Sequence, residues 1–488
     1  MMVGKLKFCL LCLLTYHTVE SLNALLSNRL RSTVPRGDAL DKEIVKTAVP
    51  SMANLAVVPL VGAVDTFWVG RMSNAAAQAG QAAAGTSFFT AYFLVSFIPT
   101  ITAPLVAKAA GAGDIKEAEK RVAEALWIST VLGFICTIAL IVKPGLINSL
   151  VLRSDAEALP YANAYLQVRS MSMIAALISA IGFAAYRGIL DTVTPLRVSL
   201  VANFANLVLD PLFIFQPIAL GVVGAALATV TAEIGSAIIY IILLRRKKLL
   251  RPFQQLVSSP PSLSSIFVLL TSGATMLLRQ ALLNISFILA TRKAQSINPF
   301  AGAAYGIIMQ CYSLGVVIQI AIQGTAAAIV PTIRAKNGNL EARRVADRLF
   351  GFGSSVAILL SLAQLILLPR FAPFFSVVPQ VQKAIIRPAR LASLVQLTNG
   401  IIFAGEGIML GISAFRALAT ITALGVTTMA AFLASPWAAN QLDGVLLSIL
   451  AFHIVQASGV LLHHLFFSPL ASSTTIEKSP KSSSSSNY

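Results

Sequence analysis

The chain has 488 residues, of which 56% are hydrophobic and only 11% are charged. A soluble globular protein is about 25% charged, so the composition excludes an ordinary soluble domain. The net charge of +18 is spread over short segments between apolar runs. This excludes a nucleic-acid-binding domain with one basic face, and it favours control of membrane topology and contact with anionic membrane lipid.

The first 42 residues are predicted to be a targeting presequence. Residues 8–14 form an apolar stretch after two lysines, too short to span a bilayer but typical of a signal-peptide core. Residues 21–37 contain arginine and serine but no acid, as transit peptides do. The two-part arrangement resembles the presequences of plastid proteins in algae with complex plastids. We expect a plastid envelope or a plastid-surrounding membrane, and otherwise, with a plain signal peptide, the plasma membrane or an endomembrane.

The rest of the chain is dominated by apolar runs long enough to span a bilayer. They predict an all-α membrane protein with twelve transmembrane helices rather than a β-barrel. The predicted helices cover 43–70, 83–109, 121–143, 160–186, 194–216, 221–244, 263–291, 300–332, 346–369, 388–413, 416–438 and 443–467. Loops on the side of both termini carry nearly twice as many lysines and arginines as the opposite loops, so that side should be the cytosol or the plastid stroma.

Two loops resemble each other and indicate an internal duplication. The sequence RVAE at 121–124 aligns with RVAD at 344–347, after the second and the eighth helix. Chance similarity between amphipathic loop helices is the alternative. Duplication predicts two pseudo-symmetric six-helix bundles that enter the membrane from the same side. They are bounded as 43–244 and 263–467, joined by a basic loop at 245–262 and followed by a disordered Ser-rich tail at 468–488.

Acidic and amide side chains inside the first bundle are candidates for function, because a charge at mid-bilayer costs about 3 kcal/mol. Asp65 lies near the end of helix 1, where a structural role at the membrane interface is also open. In helix 5, Asn203, Asn206 and Asp210 are spaced i, i+3 and i+7 and share one face. This stripe predicts a polar cavity, with interhelical hydrogen bonding as the structural alternative.

Other embedded polar residues occur in both halves. Arg169 in helix 4 and Arg279 in helix 7 could each pair with an acid or contact a substrate carboxylate. Thr229 and Glu233 in helix 6 share a face, and Glu233 could have a structural or a gating role. Glu406 in helix 10, which is surrounded by glycines, is a possible second-half acid.

Sequence signals for catalysis are missing. No HExxH motif, P-loop or paired-carboxylate pattern occurs in a loop, and the four cysteines form no disulfide or metal framework. We therefore expect no enzyme, no cofactor, and no metal beyond a possible Na⁺ at Asp65 and Asp210. Without a nucleotide site, transport would draw its energy from an ion gradient.

Several of these stretches together resemble the multidrug and toxic compound extrusion (MATE) family, nearest its DinF-like branch with plant and algal plastid members. The resemblance covers roughly 43–467 and is stronger in the first half. The stretches that carry it are AVDTFWVGRMS (63–73), PLVAKAAGAGDIKEA (104–118), YLQVRS (165–170), YRGILDTVTPLRV (186–198), NLVLDPLFIF (206–215) and LGVVGAALAT (220–229).

The second half departs from the family pattern. The family's AAHQI is AAYGI at 303–307 here, and its acid in helix 8 is replaced by an apolar residue near Ile320. Its DG pair in helix 10 is Glu406-Gly407, which keeps the charge, and a later D-F pair is Ala414-Phe415. Glu406 is therefore the second-half acid that remains to bind a coupling ion.

The resemblance implies a V-shaped pair of bundles that alternate access and exchange an organic solute or xenobiotic for H⁺ or Na⁺. It also implies a first-half cation site formed by Asp65, Asn206 and Asp210, with Thr229 nearby. The implied partners are a small organic substrate, the coupling ion and membrane lipid, with the chain as a monomer. A lipid or lipid-linked oligosaccharide flippase of related architecture is the main alternative, and a non-transporting membrane scaffold is another. The arginines suit an anionic substrate and the acids a cationic one.

Overall fold

The computed structural model describes residues 32–72, 75–149, 157–215, 218–251, 262–375, 379–436 and 441–471, and within them the regular structure is helical. Most of the predicted presequence and most of the predicted tail lie outside this part of the chain. The side chains of residues 57–67 lie outside it as well, although their backbone belongs to a helix.

The helices follow one another with short connections. They are α1 (Ala39–Gly70), α2 (Ala75–Val95), α3 (Phe97–Gly111), α4 (Ile115–Val142), α5 (Pro144–Asn148), α6 (Leu159–Ser170), α7 (Met173–Gly188), α8 (Val193–Ile214), α9 (Val222–Arg246), α10 (Leu263–Ile297), α11 (Pro299–Phe375), α12 (Pro379–Gly411), α13 (Phe415–Ala434) and α14 (Leu442–Leu462), which continues as a π-turn, His463–Phe467.

Helix α11 contains two membrane segments. Its 77 residues would extend about 115 Å at 1.5 Å per residue, whereas the hydrocarbon core of a bilayer is about 30 Å thick. Gly338 breaks the helix with φ 83° and ψ −176°, a left-handed conformation that glycine adopts without a Cβ clash. The predicted loop between helices 8 and 9 is thus helical on both sides of one glycine.

Two predicted spans are bent rather than continuous. Helices α2 and α3 meet at 42° beside Ser96, and α6 and α7 meet at 53° beside Met171 and Ser172. By length and hydropathy, the described residues contain eight helices able to cross a membrane, or ten if each bent pair is one span. Dividing α11 at its break and adding α1 gives twelve membrane-length segments, the predicted number.

Among the described residues, the buried apolar side chains form one core shared by both halves and two separate cores. We call the membrane side at which α1 begins and α14 ends the terminal side, and the opposite side the distal side. The largest core lies on the terminal side and includes residues of both halves, such as Ile101, Val122, Ile329 and Leu349. On the distal side, one core belongs to the first half and another to the second half. The halves therefore form a V that is joined on the terminal side and open on the distal side.

The joined region, which we call the seam, is closed by polar and backbone contacts. The Thr332 hydroxyl donates to the Ala107 carbonyl at 3.3 Å, and a Cβ added to Gly111 would lie 2.6 Å from the Thr332 carbonyl oxygen. Arg348 binds both carboxylate oxygens of Asp41 at 3.0 and 3.1 Å. Asp41 falls within the predicted presequence, yet it is 4% exposed and fastens the start of α1 to the second half.

Candidate functional site

The polar stripe of helix 5 is buried against α9 near the distal end of α8. Asp210 is 0% exposed and Asn206 2%. The Asn206 amide nitrogen lies 3.4 Å from Asp210 Oδ1 and 3.5 Å from Thr229 Oγ1. The Thr229 hydroxyl donates to the Ala225 carbonyl at 3.0 Å. A carboxylate oxygen and a hydroxyl oxygen thus lie on either side of the Asn206 amide, and hard oxygen atoms of this kind suit H⁺ or a small hard cation such as Na⁺.

The α8–α9 hairpin brings these residues together. The turn between the two helices is closed by the Leu220 and Gly221 amides, which donate to Phe213 and Ile214 carbonyls at 2.9 and 3.2 Å. Gly224 packs so closely that an added Cβ would lie 2.3 Å from the Phe213 carbonyl oxygen. Because this contact excludes any larger side chain, it fixes the register of α9 along α8 and so sets Thr229 opposite Asn206.

The other predicted members of this site are less completely defined. Asp65 lies in α1, but its side chain is outside the described part of the structure. Helix α1 packs against α8, the helix that carries Asp210. Asn203 is half-buried and forms no hydrogen bond with the described residues. The oxygen Oδ1 of Asn206 is buried and lacks a hydrogen-bond partner among the described residues, so it remains free to accept a proton donor or to ligate a cation.

Arg169 and Glu233 form an ion pair within the first half. Both guanidinium nitrogens of Arg169 reach the carboxylate at 2.7 Å, and the guanidinium carbon lies 3.9 Å from the centroid of the Phe88 ring. The pair joins α6 to α9 with a planar two-point contact and a cation–π contact from α2. Glu233 is thus only four residues from Thr229, but it pairs with Arg169 rather than with the cluster of Asp210, Asn206 and Thr229.

Arg279 and Glu406 form a more deeply buried pair in the second half. Arg279 is 8% exposed and Glu406 3%, and a guanidinium Nη2 donates to Glu406 Oε1. The Gln323 amide donates to the other carboxylate oxygen at 2.7 Å, and Arg279 Nε donates to Thr422 Oγ1 at 3.2 Å. Four helices, α10 to α13, meet at this pair, whose two charges cancel.

Close packing of α11 on α12 explains how Gln323 reaches Glu406. A Cβ added to Gly407 would lie 2.3 Å from the Gln323 carbonyl oxygen. A cavity of about 140 Å³ adjoins the pair between the two halves. Its lining includes Phe93 and Phe97 of the first half together with Arg279 and Gln323, so a solute between the halves would meet both aromatic faces and a guanidinium.

A third polar cluster lies in the second half and was not predicted. Tyr312 Oη lies 3.2 Å from Asn399 Oδ1 and 3.0 Å from His453 Nε2. His453 Nδ1 is 2.8 Å from the Ile449 carbonyl oxygen, and Asn399 donates to Gln396 at 3.3 Å. Each of these side chains is almost fully buried. The cluster joins α11, α12 and α14 within the distal core of the second half.

Helical spacing in the sequence indicates this cluster and also the contact between Gln323 and Glu406. Tyr312 and Gln323 in α11 are eleven residues apart, which is three helical turns, so they share a face. Gln396, Asn399 and Glu406 form a similar stripe on α12. Both stripes consist largely of uncharged residues, whereas the candidates predicted in the second half, Arg279 and Glu406, are charged.

The sequence is similar to a known protein family and to several of its relatives. The MatE family model matches residues 50–212. The chain is 24% identical over 412 residues to Protein DETOXIFICATION 45, chloroplastic, of Arabidopsis thaliana, which covers 80% of this chain and 72% of that protein. It is 28% identical over 248 residues to DNA damage-inducible protein F of Escherichia coli, which covers 51% and 53%.

The fold is also that of a solved structure. A crystal structure of MATE in the bent conformation superposes with a TM-score of 0.79 at 19% sequence identity, covering 91% of this chain and 97% of that one. At this identity the match concerns the fold alone, and it agrees with the twelve-segment V. The chain is thus similar to a MATE transporter in fold, to the MatE family model over residues 50–212, and in sequence to chloroplastic DETOXIFICATION proteins and DNA damage-inducible protein F.

Proposed function

We propose that the chain is a secondary active antiporter that exports an organic solute in exchange for H⁺ or Na⁺. The observation that carries the proposal is the buried cluster of Asp210, Asn206 and Thr229 on the hairpin of α8 and α9. A fully buried acid beside a neutral amide and a hydroxyl is stabilised when a cation binds to it, because that cation neutralises a charge held away from water. Asp65 completes this site in the proposal.

The coupling ion binds in the first half rather than at Glu406. Arg279 already neutralises Glu406, and Gln323 occupies its second oxygen. A cation at Glu406 would have to displace a guanidinium and leave that charge buried without its partner, a loss of about 3–5 kcal/mol. At Asp210 the neighbouring Asn206 contributes a neutral amide instead.

The position of the cluster supports alternating access. It lies near the distal end of α8, where the halves have separate cores, whereas the seam closes the terminal side. In the proposal, ions reach the cluster from the distal side. Ion binding favours one arrangement of the halves and substrate binding favours the other, and the cavity beside Arg279 lies on the substrate's route between them.

The membrane in the proposal is a plastid envelope or plastid-surrounding membrane. Two relatives that match over most of this chain bear names that include the word chloroplastic. The composition of residues 1–42 supports the same location. Fluorescence microscopy of the full chain with a carboxy-terminal fluorescent tag tests it, and a signal confined to the plasma membrane would contradict it.

Gradient-driven flux in proteoliposomes tests the proposed activity. The purified full chain is reconstituted and loaded with a fluorescent organic cation or a fluorescent monocarboxylate, and an inward pH gradient or an inward Na⁺ gradient is imposed. We expect release of at least one probe under one gradient, and loss of that release when an ionophore collapses the gradient. Release that ignores both gradients, or flipping of a polyprenyl-linked sugar in the same vesicles, would contradict an antiporter.

A further inference from the structure

A second cavity lies in the seam on the terminal side, far from the proposed ion cluster. Its volume is about 280 Å³. Its walls come from both halves: Ala110, Ile115, Gly188, Ile189, Leu190, Lys247 and Leu249 from the first, and Thr332 and Lys336 from the second. The cavity thus exists only while the halves are in contact here.

The cavity carries two positive charges that the described residues do not neutralise. Lys247 and Lys336 are exposed, and no described carboxylate lies within ion-pair distance of either. Acids on the neighbouring segments are engaged elsewhere. Glu117 and Glu124 pair with Arg121, Glu119 pairs with Arg251, and Asp191 accepts from Thr194. Two lysines without a counter-charge among the described residues therefore line one cavity.

The segment that carries Lys247 is held in place. Helix α9 ends at Arg246, and Lys248 adopts a left-handed φ of 58°. This turn directs Leu249 into the shared core, where it is 2% exposed. Two residues later, Arg251 Nε donates to Glu119 Oε1 of α4 at 3.2 Å. Lys247 is thus fixed at the rim by its backbone, while its long side chain can adjust to a ligand.

We propose that this cavity binds a phosphate group, which Lys247 and Lys336 hold from opposite sides of the seam. Phosphate carries the multiple negative oxygens that two ammonium groups can share, and the apolar wall of Ile115, Ile189 and Leu249 accommodates the group to which it is attached. The surrounding basic loops raise the local concentration of anions. The phosphate comes from an anionic lipid headgroup or from a soluble phosphate compound.

Binding at the seam favours the conformation that is closed on the terminal side. When the halves part there, Lys247 and Lys336 separate and the ligand loses one of its two cations. A ligand shifts a conformational equilibrium by its difference in affinity for the two states. The phosphate ligand is therefore a regulator that slows opening to the terminal side. Binding itself does not depend on the proposed antiport, but the effect on transport depends on alternating access.

The test measures distances across the seam in the full chain. Spin labels are placed at exposed Ala112 and Leu340, one in each half, after the native cysteines are replaced by alanine. Nanodiscs of neutral phosphatidylcholine receive inorganic pyrophosphate as the soluble probe, and nanodiscs with phosphatidylglycerol supply the lipid probe. We expect pyrophosphate, phosphatidylglycerol or both to increase the population at the short spin-label distance. The probe that does so shows whether the phosphate comes from a soluble compound or from a lipid headgroup.

Charge-matched variants separate this site from a general surface effect. Lys247→Gln/Lys336→Gln should weaken the response to the active probe at least about tenfold in probe concentration. Lys116→Gln/Lys120→Gln removes two lysines from the same membrane side, outside the cavity lining, and should respond like the unmodified protein. An absent response to both probes, or equal responses from both double variants, would overturn the proposal. Flux assays on Lys247→Gln/Lys336→Gln distinguish a failed site from a failed antiporter, since basal exchange should persist.

Discussion

The buried pair of Arg279 and Glu406 permits a quantitative prediction. At about 4 Å and an effective dielectric constant of about 20, two unit charges attract by about 4 kcal/mol. Glu406→Gln leaves a guanidinium that is 8% exposed with the Thr422 hydroxyl as its remaining described partner. We expect either Glu406→Gln or Arg279→Gln to destabilise the protein by about 3–5 kcal/mol, because each leaves a buried charge unpaired.

The double variant Arg279→Gln/Glu406→Gln removes both charges and should recover most of that loss. Two amides of similar size can hydrogen-bond to each other, so the double variant should lie within about 2 kcal/mol of the unmodified protein. The assay is a reversible SDS titration of the purified full chain that compares free energies of unfolding in a double-mutant cycle.

The exposed pair Arg344–Glu341 gives a matched control. Its two side chains are 62% and 42% exposed at a separation of 2.6 Å, and Arg344→Gln should change the free energy of unfolding by less than about 1 kcal/mol. The reasoning would be refuted if Glu406→Gln were as stable as the unmodified protein. It would be refuted equally if the double variant lost the sum of the two single losses.

Two further predictions concern close packing and the seam. Gly224→Ala places a Cβ about 2.3 Å from the Phe213 carbonyl oxygen, so α9 should shift along α8 and the ion dependence of flux should fall. Gly235→Ala, where a Cβ meets nothing within 4 Å, is the control, and equal flux in both variants would argue against a register effect. Arg348→Gln removes the contact to Asp41 at 3.0 Å and should lengthen the spin-label distance across the seam; an unchanged distance would contradict its closing role.

The positions of the helices followed from the sequence because long apolar runs between charged loops leave little choice in a bilayer. The bends beside Ser96 and Met171 were not predicted. Pro99 lacks the N–H that would donate to the Val95 carbonyl, so the first bend has a signal in the sequence, whereas no proline or glycine lies beside Met171. Helix α12 begins at Pro379, nine residues before the predicted start at 388, because Pro388 is accommodated inside the helix.

The sequence shows each charged residue inside an apolar run, but it does not show which residue forms an ion pair with it. Arg169 and Glu233 are 64 residues apart and Arg279 and Glu406 are 127 apart, so which acid meets which arginine depends on helix packing. The stripe of Asn206 and Asp210 was predictable because both residues lie on one helix. Thr229 lies on the next helix, and the two helices form a tight hairpin. Contacts within a hairpin are the easiest long-range contacts to predict from a sequence.

The contacts across the seam could not be predicted from the sequence, for a physical reason. Its contacts join residues of the two halves, such as Ala107 with Thr332 and Asp41 with Arg348, which are 225 and 307 residues apart along the chain. Which residues meet there depends on how the helices of both halves pack together. The similarity of the two loops at 121–124 and 344–347 indicated a common position on the terminal side, but not the partners of either loop.

Ion dependence of flux in the double variant Asp65→Asn/Asp210→Asn tests the central claim most directly. Asparagine keeps the size of each side chain and removes the charge that a cation would neutralise. With the probe that the unmodified protein releases, we expect the double variant to lose its response to the driving pH or Na⁺ gradient while Asn203→Ala keeps it. Flux at the unmodified rate with the same ion dependence would contradict a coupling site in the first half.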